Sequence, residues 1–304
     1  MASSTPSRRL PVKDHLHRLY MSVRDRYWLR LLLLVGIPVG VLLLFFVLPL
    51  MIMLWLSFHD GMPPASYTLE NYMRLFDSLY LNVLWRTLTM TVQVTVLVTA
   101  VGYTLAYSVV QFSRRTTLLL LLVILPFWTN YIVRMYALIN IFQTGGAMSW
   151  VLNTVGLLNE DFGMLFTHEA VLIGLAYVWL PLATLPFYAS LSNLDTDLID
   201  ASKDLGAGPI KTFYSVTLPL TYNGLIAGII LVAIPTFGAF VTPALLGGTD
   251  QIMIGNVIDQ QFNQAFNWAF GAAIGIFVSL IVLVVLGLST RIGGSIVGVG
   301  GDQQ

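Results

Sequence analysis

Six long runs of apolar residues, each free of aspartate and glutamate, divide most of the chain. They cover residues 31–58, 88–112, 117–142, 170–192, 221–246 and 268–290, and the one charge inside any of them is Arg134. A hydrocarbon core about 30 Å thick is crossed by roughly 20 mainly apolar residues in an α-helix. Each run is long enough, so the pattern predicts an all-α integral membrane protein with six transmembrane helices in a domain covering residues 31–290.

Prolines inside four of these runs predict that several spans are kinked or broken. They are Pro38 and Pro49 in the first run, Pro126 in the third, Pro181 and Pro186 in the fourth, and Pro235 and Pro243 in the fifth. A proline within a helix lacks the N–H donor and clashes with the preceding turn. Two Gly-x-x-x-Gly pairs, Gly224 with Gly228 and Gly271 with Gly275, predict close helix packing in preference to a mechanistic role.

Lysine and arginine are unevenly distributed between the two sides of the predicted bundle. Twelve of the 15 precede the first run, follow the last, or lie between the second and third runs or the fourth and fifth. Basic residues are retained on the cytoplasmic side, so both termini are predicted to be cytoplasmic. Within residues 1–30 the spacing from Lys13 to Arg30 predicts an amphipathic helix on the membrane surface, and residues 291–304 are expected to form a flexible cytoplasmic tail.

The amino-acid composition excludes several classes of protein. Apolar types make up 57% of the 304 residues and charged types 10%, with a formal net charge of zero and a mean hydropathy of +0.80. Soluble domains contain roughly 25% charged residues, and nucleic-acid-binding proteins carry a basic footprint. Cysteine is absent, which excludes disulfides and thiolate metal sites. No histidine spacing typical of a metal site occurs, and we predict no metal.

The segment between the fourth and fifth runs, residues 195–219, has the pattern of a helix–turn–helix elbow. Asp195 or Asp197 is suited to capping a first helix by accepting a bond from its free amides. Gly206 supplies a C-terminal stop, Pro209 suits the first turn of a second helix, and Pro219 ends the unit. On the cytoplasmic side such an elbow is either a docking projection for a partner or an ordinary helical connection, and spacing alone leaves both open.

The elbow resembles the cytoplasmic motif of permease subunits from ATP-binding-cassette (ABC) importers. That motif reads Glu-Ala-Ala, three residues, Gly, nine residues, Ile, one residue and Leu-Pro. The matching positions here are Asp200, Ala201, Ser202, Gly206, Val216, Leu218 and Pro219. Asp200, Ser202 and Val216 depart conservatively from the motif, and none of them removes the helix–glycine–helix arrangement.

This resemblance implies the type I importer permease fold, a bacterial cytoplasmic membrane and a defined set of partners. They are an ABC ATPase dimer, a second homologous permease that completes a heterodimer, and an extracytoplasmic solute-binding protein. The chain lacks the Gly-x-x-x-x-Gly-Lys-Ser/Thr phosphate loop, so we expect no cofactor on it and place ATP and magnesium on the partner ATPase. ATP-driven closure of the ATPases would move residues 200–219 and produce alternating access.

Other segments resemble the polyamine branch of these permeases and imply a spermidine- or putrescine-like cargo. They are residues 69–72, 125–137, 234–248 and 253–258. Some members of that branch have an acid where this chain has Ala239, so an opine, an amino-acid derivative or another small solute stays open as cargo. An ion-coupled secondary transporter is the alternative of another class, but such carriers keep ionisable groups inside their spans, and here every carboxylate lies outside the runs.

Candidate pathway and gate residues lie in the third and fifth runs. Trp128, Asn130 and Tyr131 are candidates to face the pathway. Phe237 and Phe240 are candidate gate residues, for which contact with lipid or a partner stays open as an alternative. Counting about 1.5 Å per residue from Thr117 along a straight helix puts Arg134 near the outer interface. There we expect this intramembrane charge to brace an outer loop and not to bind solute.

Overall fold

The computed structural model describes residues 27–62, 64–112, 115–157 and 162–292, and within these ranges its regular elements are helices. The α-helices are α1 (Tyr27–Leu42), α2 (Leu48–Ser57), α3 (Glu70–Arg74), α4 (Ser78–Phe112), α5 (Thr116–Ile124), α6 (Tyr131–Phe142), α7 (Ala147–Thr154), α8 (His168–Ser192), α9 (Thr196–Asp204), α10 (Pro209–Thr212), α11 (Leu218–Leu220), α12 (Tyr222–Phe237), α13 (Val241–Leu246), α14 (Ile254–Asn263) and α15 (Trp268–Ile292). The predicted all-α fold is confirmed.

The first span consists of α1 and α2 joined by a π-helical turn, Leu43–Val47. The turn ends where the N–H of Leu48 donates to the carbonyl of Leu43, immediately before Pro49, which has no N–H for the next bond. Helix begins at Tyr27, before the predicted start at residue 31. The rest of the predicted surface helix, residues 13–26, lies outside the described residues. The tail was predicted from residue 291, but helix continues to Ile292, and residues 293–304 lie outside the described residues.

The main core lies between α4, α8 and α12, which form the centre of the bundle. Val94 and Val98 of α4, Leu175 and Phe187 of α8, and Val232 of α12 are fully buried there. Helix α8 runs without interruption through Pro181 and Pro186, so the two prolines expected to disturb this span do not break it.

Glycines allow α12 to approach α8 closely. A Cβ on Gly228 would collide with the ring of Phe187, and one on Gly224 would collide with Ser190. On the other side of the bundle, a Cβ on Gly275 would lie 3.1 Å from Cε of Met53, which brings α15 against α2. The packing role predicted for the Gly-x-x-x-Gly pairs is therefore confirmed.

The third apolar run is broken, as its Pro126 predicts, and is not one straight helix. Helix α5 continues into a 3₁₀ turn, Leu125–Trp128, and the segments on either side of residues 129 and 130 meet at an angle of 95°. Thr129 is extended, with φ −77° and ψ 152°. The side chain of Asn130 then accepts a hydrogen bond from the N–H of Ile132, at 2.9 Å, and so starts α6.

The fifth run is broken, as its prolines predict. Helix α12 ends at Phe237, and α13 begins at Val241 after the irregular residues 238–240, which we call the span-five break. At its other end α12 is bent by 71° from the segment Pro209–Leu220. Four helices of the described part are long and apolar enough to cross a membrane, and six spans result if each bent pair counts as one.

Candidate coupling elbow and solute pathway

The first arm of the elbow is α9, and Asp195 is its N-cap. The carboxylate of Asp195 accepts a hydrogen bond from the N–H of Asp197 at 3.0 Å, so the first of the two predicted caps is the one used. One turn along, Asp200 pairs with Lys203 at 2.8 Å. Both side chains are more than half exposed, and exposed pairs of this kind contribute little to stability. Ala201 is also exposed.

The turn of the elbow is a Schellman motif built on Gly206. The N–H of Gly206 donates to the carbonyl of Lys203 at 2.8 Å, and that of Ala207 donates to Ser202 at 3.1 Å. Gly206 has φ +82°, a left-handed conformation that glycine adopts without the steric cost a Cβ imposes. Two backbone bonds and one left-handed residue therefore fix the angle between the arms.

The second arm begins at Pro209 and is tied to the first through side chains. The hydroxyls of Ser202 and Thr212 lie 3.1 Å apart, within hydrogen-bonding distance. Thr212 is buried although it belongs to a projecting element. The arms therefore form one unit and not two independent helices.

Large apolar side chains project from this elbow into the surroundings. Leu205 is 89% exposed and Ile210 74% exposed, and Leu198 and Tyr214 are exposed as well. Exposed apolar surface on a compact element is typical of an interaction site. The geometry thus favours a docking surface over a simple connection.

The root of the elbow is anchored in the bundle by aromatic and hydroxyl contacts. The ring of Phe213 meets those of Tyr103 and Tyr107 edge-on, with centroids 6.1 and 5.6 Å apart. The hydroxyl of Tyr103 lies 2.6 Å from that of Thr221, which in turn donates to the carbonyl of Thr217 at 2.8 Å. These contacts join the second arm to α4 and to the start of α12.

The motif residues at the C-terminal end of the elbow lie at this root. Leu218 packs against the main core, whereas Pro219 is exposed and Val216 is half-buried. The π-helical turn Phe213–Thr217 precedes Pro219, as the turn in the first span precedes Pro49. The anchoring residues Tyr103, Tyr107, Phe213 and Thr221 were not predicted from sequence, because only the folded bundle brings them together.

The candidate pathway residues do not form one site within this chain. Trp128 is 85% exposed, whereas Phe237 is buried in a second core with Leu75 and Phe270. Phe240, in the span-five break, is 45% exposed. Asn130 has a structural role as the cap of α6.

Tyr131 connects the two broken spans. Its hydroxyl is hydrogen-bonded to the hydroxyl of Thr242 in α13, on the far side of the span-five break. This bond joins the start of α6 to the segment that follows the break, so two irregular regions are held against one another.

Arg134 lies within the bend region and not at the end of a straight helix. Residues 116–128 rise about 21 Å before the 95° bend, so the straight helix assumed in the count is wrong, while the location of Arg134 near the outer interface stays a prediction. Its side chain is 7% exposed, with Cζ 5.8 Å from the ring centroid of Phe127 and 5.6 Å from that of Tyr131. Nε and Nη1 have no hydrogen-bond partner in the described part of the chain.

Comparison with known proteins identifies the family. Residues 98–296 match a family described as "Binding-protein-dependent transport system inner membrane component". The "Spermidine/putrescine transport system permease protein PotB" of Escherichia coli (strain K12) is 38% identical over 229 residues, 74% of this chain and 83% of that protein. The protein of the same name from Haemophilus influenzae is 39% identical over 226 residues, 72% of this chain and 79% of its own length.

A solved structure has the same fold. It is a bacterial alginate ABC transporter in complex with an alginate pentasaccharide-bound periplasmic protein, one chain of which matches with a TM-score of 0.75. The match covers 92% of this chain and 98% of that one at 16% identity, which is evidence for the fold alone. It confirms the ABC importer permease fold. By the family match over residues 98–296 and the 38% identity to PotB, the chain belongs to the binding-protein-dependent transport system inner membrane components and is a multi-pass permease subunit of the inner membrane.

Proposed function

We propose that this permease subunit transports a polyamine of the spermidine and putrescine class in an ATP-driven importer. The observation that supports this cargo is the 38% identity to PotB, a spermidine/putrescine permease, over 74% of the chain. The segments around the bend of the third run and the span-five break, which resemble the polyamine branch, are the irregular parts of the bundle.

The elbow, residues 195–219, is the element through which energy reaches the bundle in this proposal. Its exposed Leu205 and Ile210 fit an apolar recess on an ATPase, and the Schellman turn at Gly206 makes it stiff enough to transmit force. The bond between Tyr103 and Thr221 carries that force into α4 and α12. Motion of the elbow then exchanges an outward opening for an inward one.

The remaining subunits supply what this chain lacks. A dimer of ABC ATPases binds ATP and magnesium, a second homologous permease completes a heterodimer, and an extracytoplasmic protein delivers the solute. Both termini and the elbow face the cytoplasm, in agreement with the positive-inside rule, because 12 of the 15 lysines and arginines lie in the segments on this side.

Reconstitution of the complete complex in proteoliposomes tests this function. We expect uptake of radiolabelled spermidine or putrescine that requires both ATP inside the vesicles and the binding protein outside. An ion gradient without ATP should give no uptake, since the spans hold no carboxylate to couple it. ATP-dependent uptake of an opine or amino-acid derivative, but not of a polyamine, would contradict the cargo; gradient-driven uptake by this chain alone would contradict the mechanism.

A further inference from the structure

The span-five break lies at the opposite end of α12 from the elbow. Helix α12 has 16 residues, which corresponds to a rise of about 24 Å. A break in a membrane span interrupts the helical ladder, and its backbone groups are satisfied by protein. The carbonyl of Phe240 accepts from the N–H of Ala244 at 3.0 Å and can accept a second bond from outside the helix. The contacts made by the backbone of residues 238–240 therefore determine how firmly this end of α12 is held.

Asn256, in the first turn of α14, bonds directly to the break. Its side-chain amide donates to the carbonyl of Phe240 at 2.7 Å, and its Oδ1 accepts from the N–H of Met253 at 3.1 Å. Asn256 is buried. One side chain thus caps its own helix and clamps the backbone of another.

The backbone of α14 also lies against the break with no side chain between them. A Cβ placed on Gly255 would be 2.7 Å from the carbonyl oxygen of Ala239 and 2.8 Å from that of Gly238. Such separations are shorter than real Cβ contacts, so glycine is needed at this position. The approach brings the donor of Asn256 within reach of Phe240.

Thr87 connects the same turn to the central helix α4. The N–H of Ile254 donates to Oγ1 of Thr87 at 2.8 Å, and that hydroxyl donates to the carbonyl of Val83 at 2.8 Å. Thr87 is fully buried. In a low-dielectric interior an unpaired polar group is costly, so these bonds favour one arrangement of α4, α14 and the break.

We propose that residues 253–257, the latch, hold the span-five break in position, and that Asn256 is a positioning residue for transport. The inference rests on the proposed function, in which the elbow moves the opposite end of α12. With the latch intact, movement at the elbow becomes a defined displacement of the break. Without it, the break moves independently of the elbow, and ATP is hydrolysed without matching uptake.

Three variants separate the bond from Asn256 to Phe240, the clamp, from the bond between Asn256 and Met253, the cap, and from general damage to α14. Asn256→Ala removes both bonds, whereas Asn256→Asp keeps the acceptor for Met253 and loses the donor to Phe240. Asn263→Ala is the matched control, because Asn263 lies at the exposed end of the same helix and bonds only locally, to Asp259 at 2.7 Å. All three are measured in the complete complex.

The primary measurement is the reactivity of a thiol placed in the break. The chain has no cysteine, so Phe240→Cys supplies its single thiol. The intact, ATP-free complex is treated with a maleimide, and the subunits are then separated to measure how much of this chain is labelled. We expect Asn256→Ala and Asn256→Asp to label about two- to tenfold faster than Asn263→Ala, the shift expected for loss of one hydrogen bond. In the chain that keeps Phe240, Asn256→Ala and Asn256→Asp should each lower the amount of solute taken up per ATP hydrolysed.

The outcomes distinguish this inference from the proposed function. If Asn256→Asp labels at the rate of the Asn263→Ala control, the bond from Asn256 to Phe240 does not hold the break. The bond to Met253 would then explain any effect of Asn256→Ala. If the control complex with Asn263→Ala takes up no polyamine in the presence of ATP, the proposed cargo is wrong. The labelling rates still show whether residues 253–257 hold the span-five break, because they do not depend on the cargo. Should an Asn256 variant fail to assemble, Thr87→Val and Thr87→Ser replace it, because valine removes the hydroxyl that accepts from Ile254 and serine keeps it. Faster labelling of the Phe240→Cys thiol in the valine variant alone supports the latch, whereas equal labelling rates in the two variants overturn it.

Discussion

Gly206 is the residue whose conformation decides the geometry of the elbow. Its φ of +82° places it where an L-residue pays about 1 to 2 kcal/mol. Two residues further on, Gly208 has φ −69° and open space around its Cα. The two glycines therefore differ in conformational requirement although they are close in sequence and both exposed.

Substitution of each glycine by alanine tests this difference. Gly206→Ala should lower ATP-driven uptake about 5- to 30-fold, because a left-handed alanine costs about 1 to 2 kcal/mol. This cost reduces the fraction of molecules whose elbow has the angle needed for docking. Gly208→Ala should transport at nearly the unsubstituted rate. Equal uptake by the two variants in proteoliposomes would show that the left-handed turn does not matter for coupling.

At the residue level, local patterns were readable from sequence and distant contacts were not. Gly206, Asp195 and Pro209 have their observed roles because each acts on backbone within a few residues. The bond between Tyr103 and Thr221 joins residues 118 positions apart, and nothing in the local sequence marks either one. Arg134 was recognised as unusual, but its surroundings depend on a bend that a count along a straight helix omits.

At the scale of elements, the prolines predicted that some spans are kinked or broken, but not where each break lies or how sharp it is. Hydrophobic length makes residues 117–142 one span, although the run includes Pro126 and Arg134. The break arises from Pro126 together with the extended Thr129 and the cap supplied by Asn130. For the fifth run, Pro235 and Pro243 were sufficient to predict the interruption.

The bond between Tyr131 and Thr242 is predicted to hold the two broken spans together. Tyr131→Phe should raise hydrogen exchange of the amides of α13 about two- to tenfold, since one hydrogen bond contributes about 0.5 to 1.5 kcal/mol. Tyr136→Phe is the control, because Tyr136 lies on the same helix with an exposed ring. Mass-spectrometric exchange of the detergent-solubilised protein measures both, and identical protection of α13 in the two variants would contradict the role of this bond.

At the scale of the whole molecule, the elbow and the bundle form one mechanical unit. The elbow is joined to α4 and α12 through the contacts of Phe213 and Thr221, and α12 is seated on α8 through Gly224 and Gly228. The overall class, the positions of the apolar runs and the docking motif followed from sequence. Which helices form the centre of the bundle did not, because that depends on side-chain fit between distant segments.

Removal of one buried hydroxyl is predicted to weaken the connection between elbow and bundle. Tyr103→Phe leaves the ring in place and removes the bond between the hydroxyls of Tyr103 and Thr221, while Thr221 keeps its bond to Thr217. ATP hydrolysis should therefore continue while uptake per ATP falls about two- to tenfold. Tyr107→Phe is the matched control, because the rings of Tyr103 and Tyr107 both contact Phe213, and its uptake per ATP should stay unchanged. Parallel assays of hydrolysis and uptake compare the two variants, and an unchanged ratio in Tyr103→Phe would remove this bond from the coupling route.

The first span has a consequence for how the protein can be observed. From Leu34 to Ser57 hardly any side chain is covered by the rest of the chain, and contact is concentrated at the end, where Leu56 meets α15. A spectroscopic reporter at Leu44, which is exposed, would therefore sense the acyl chains or a neighbouring subunit without disturbing the interior.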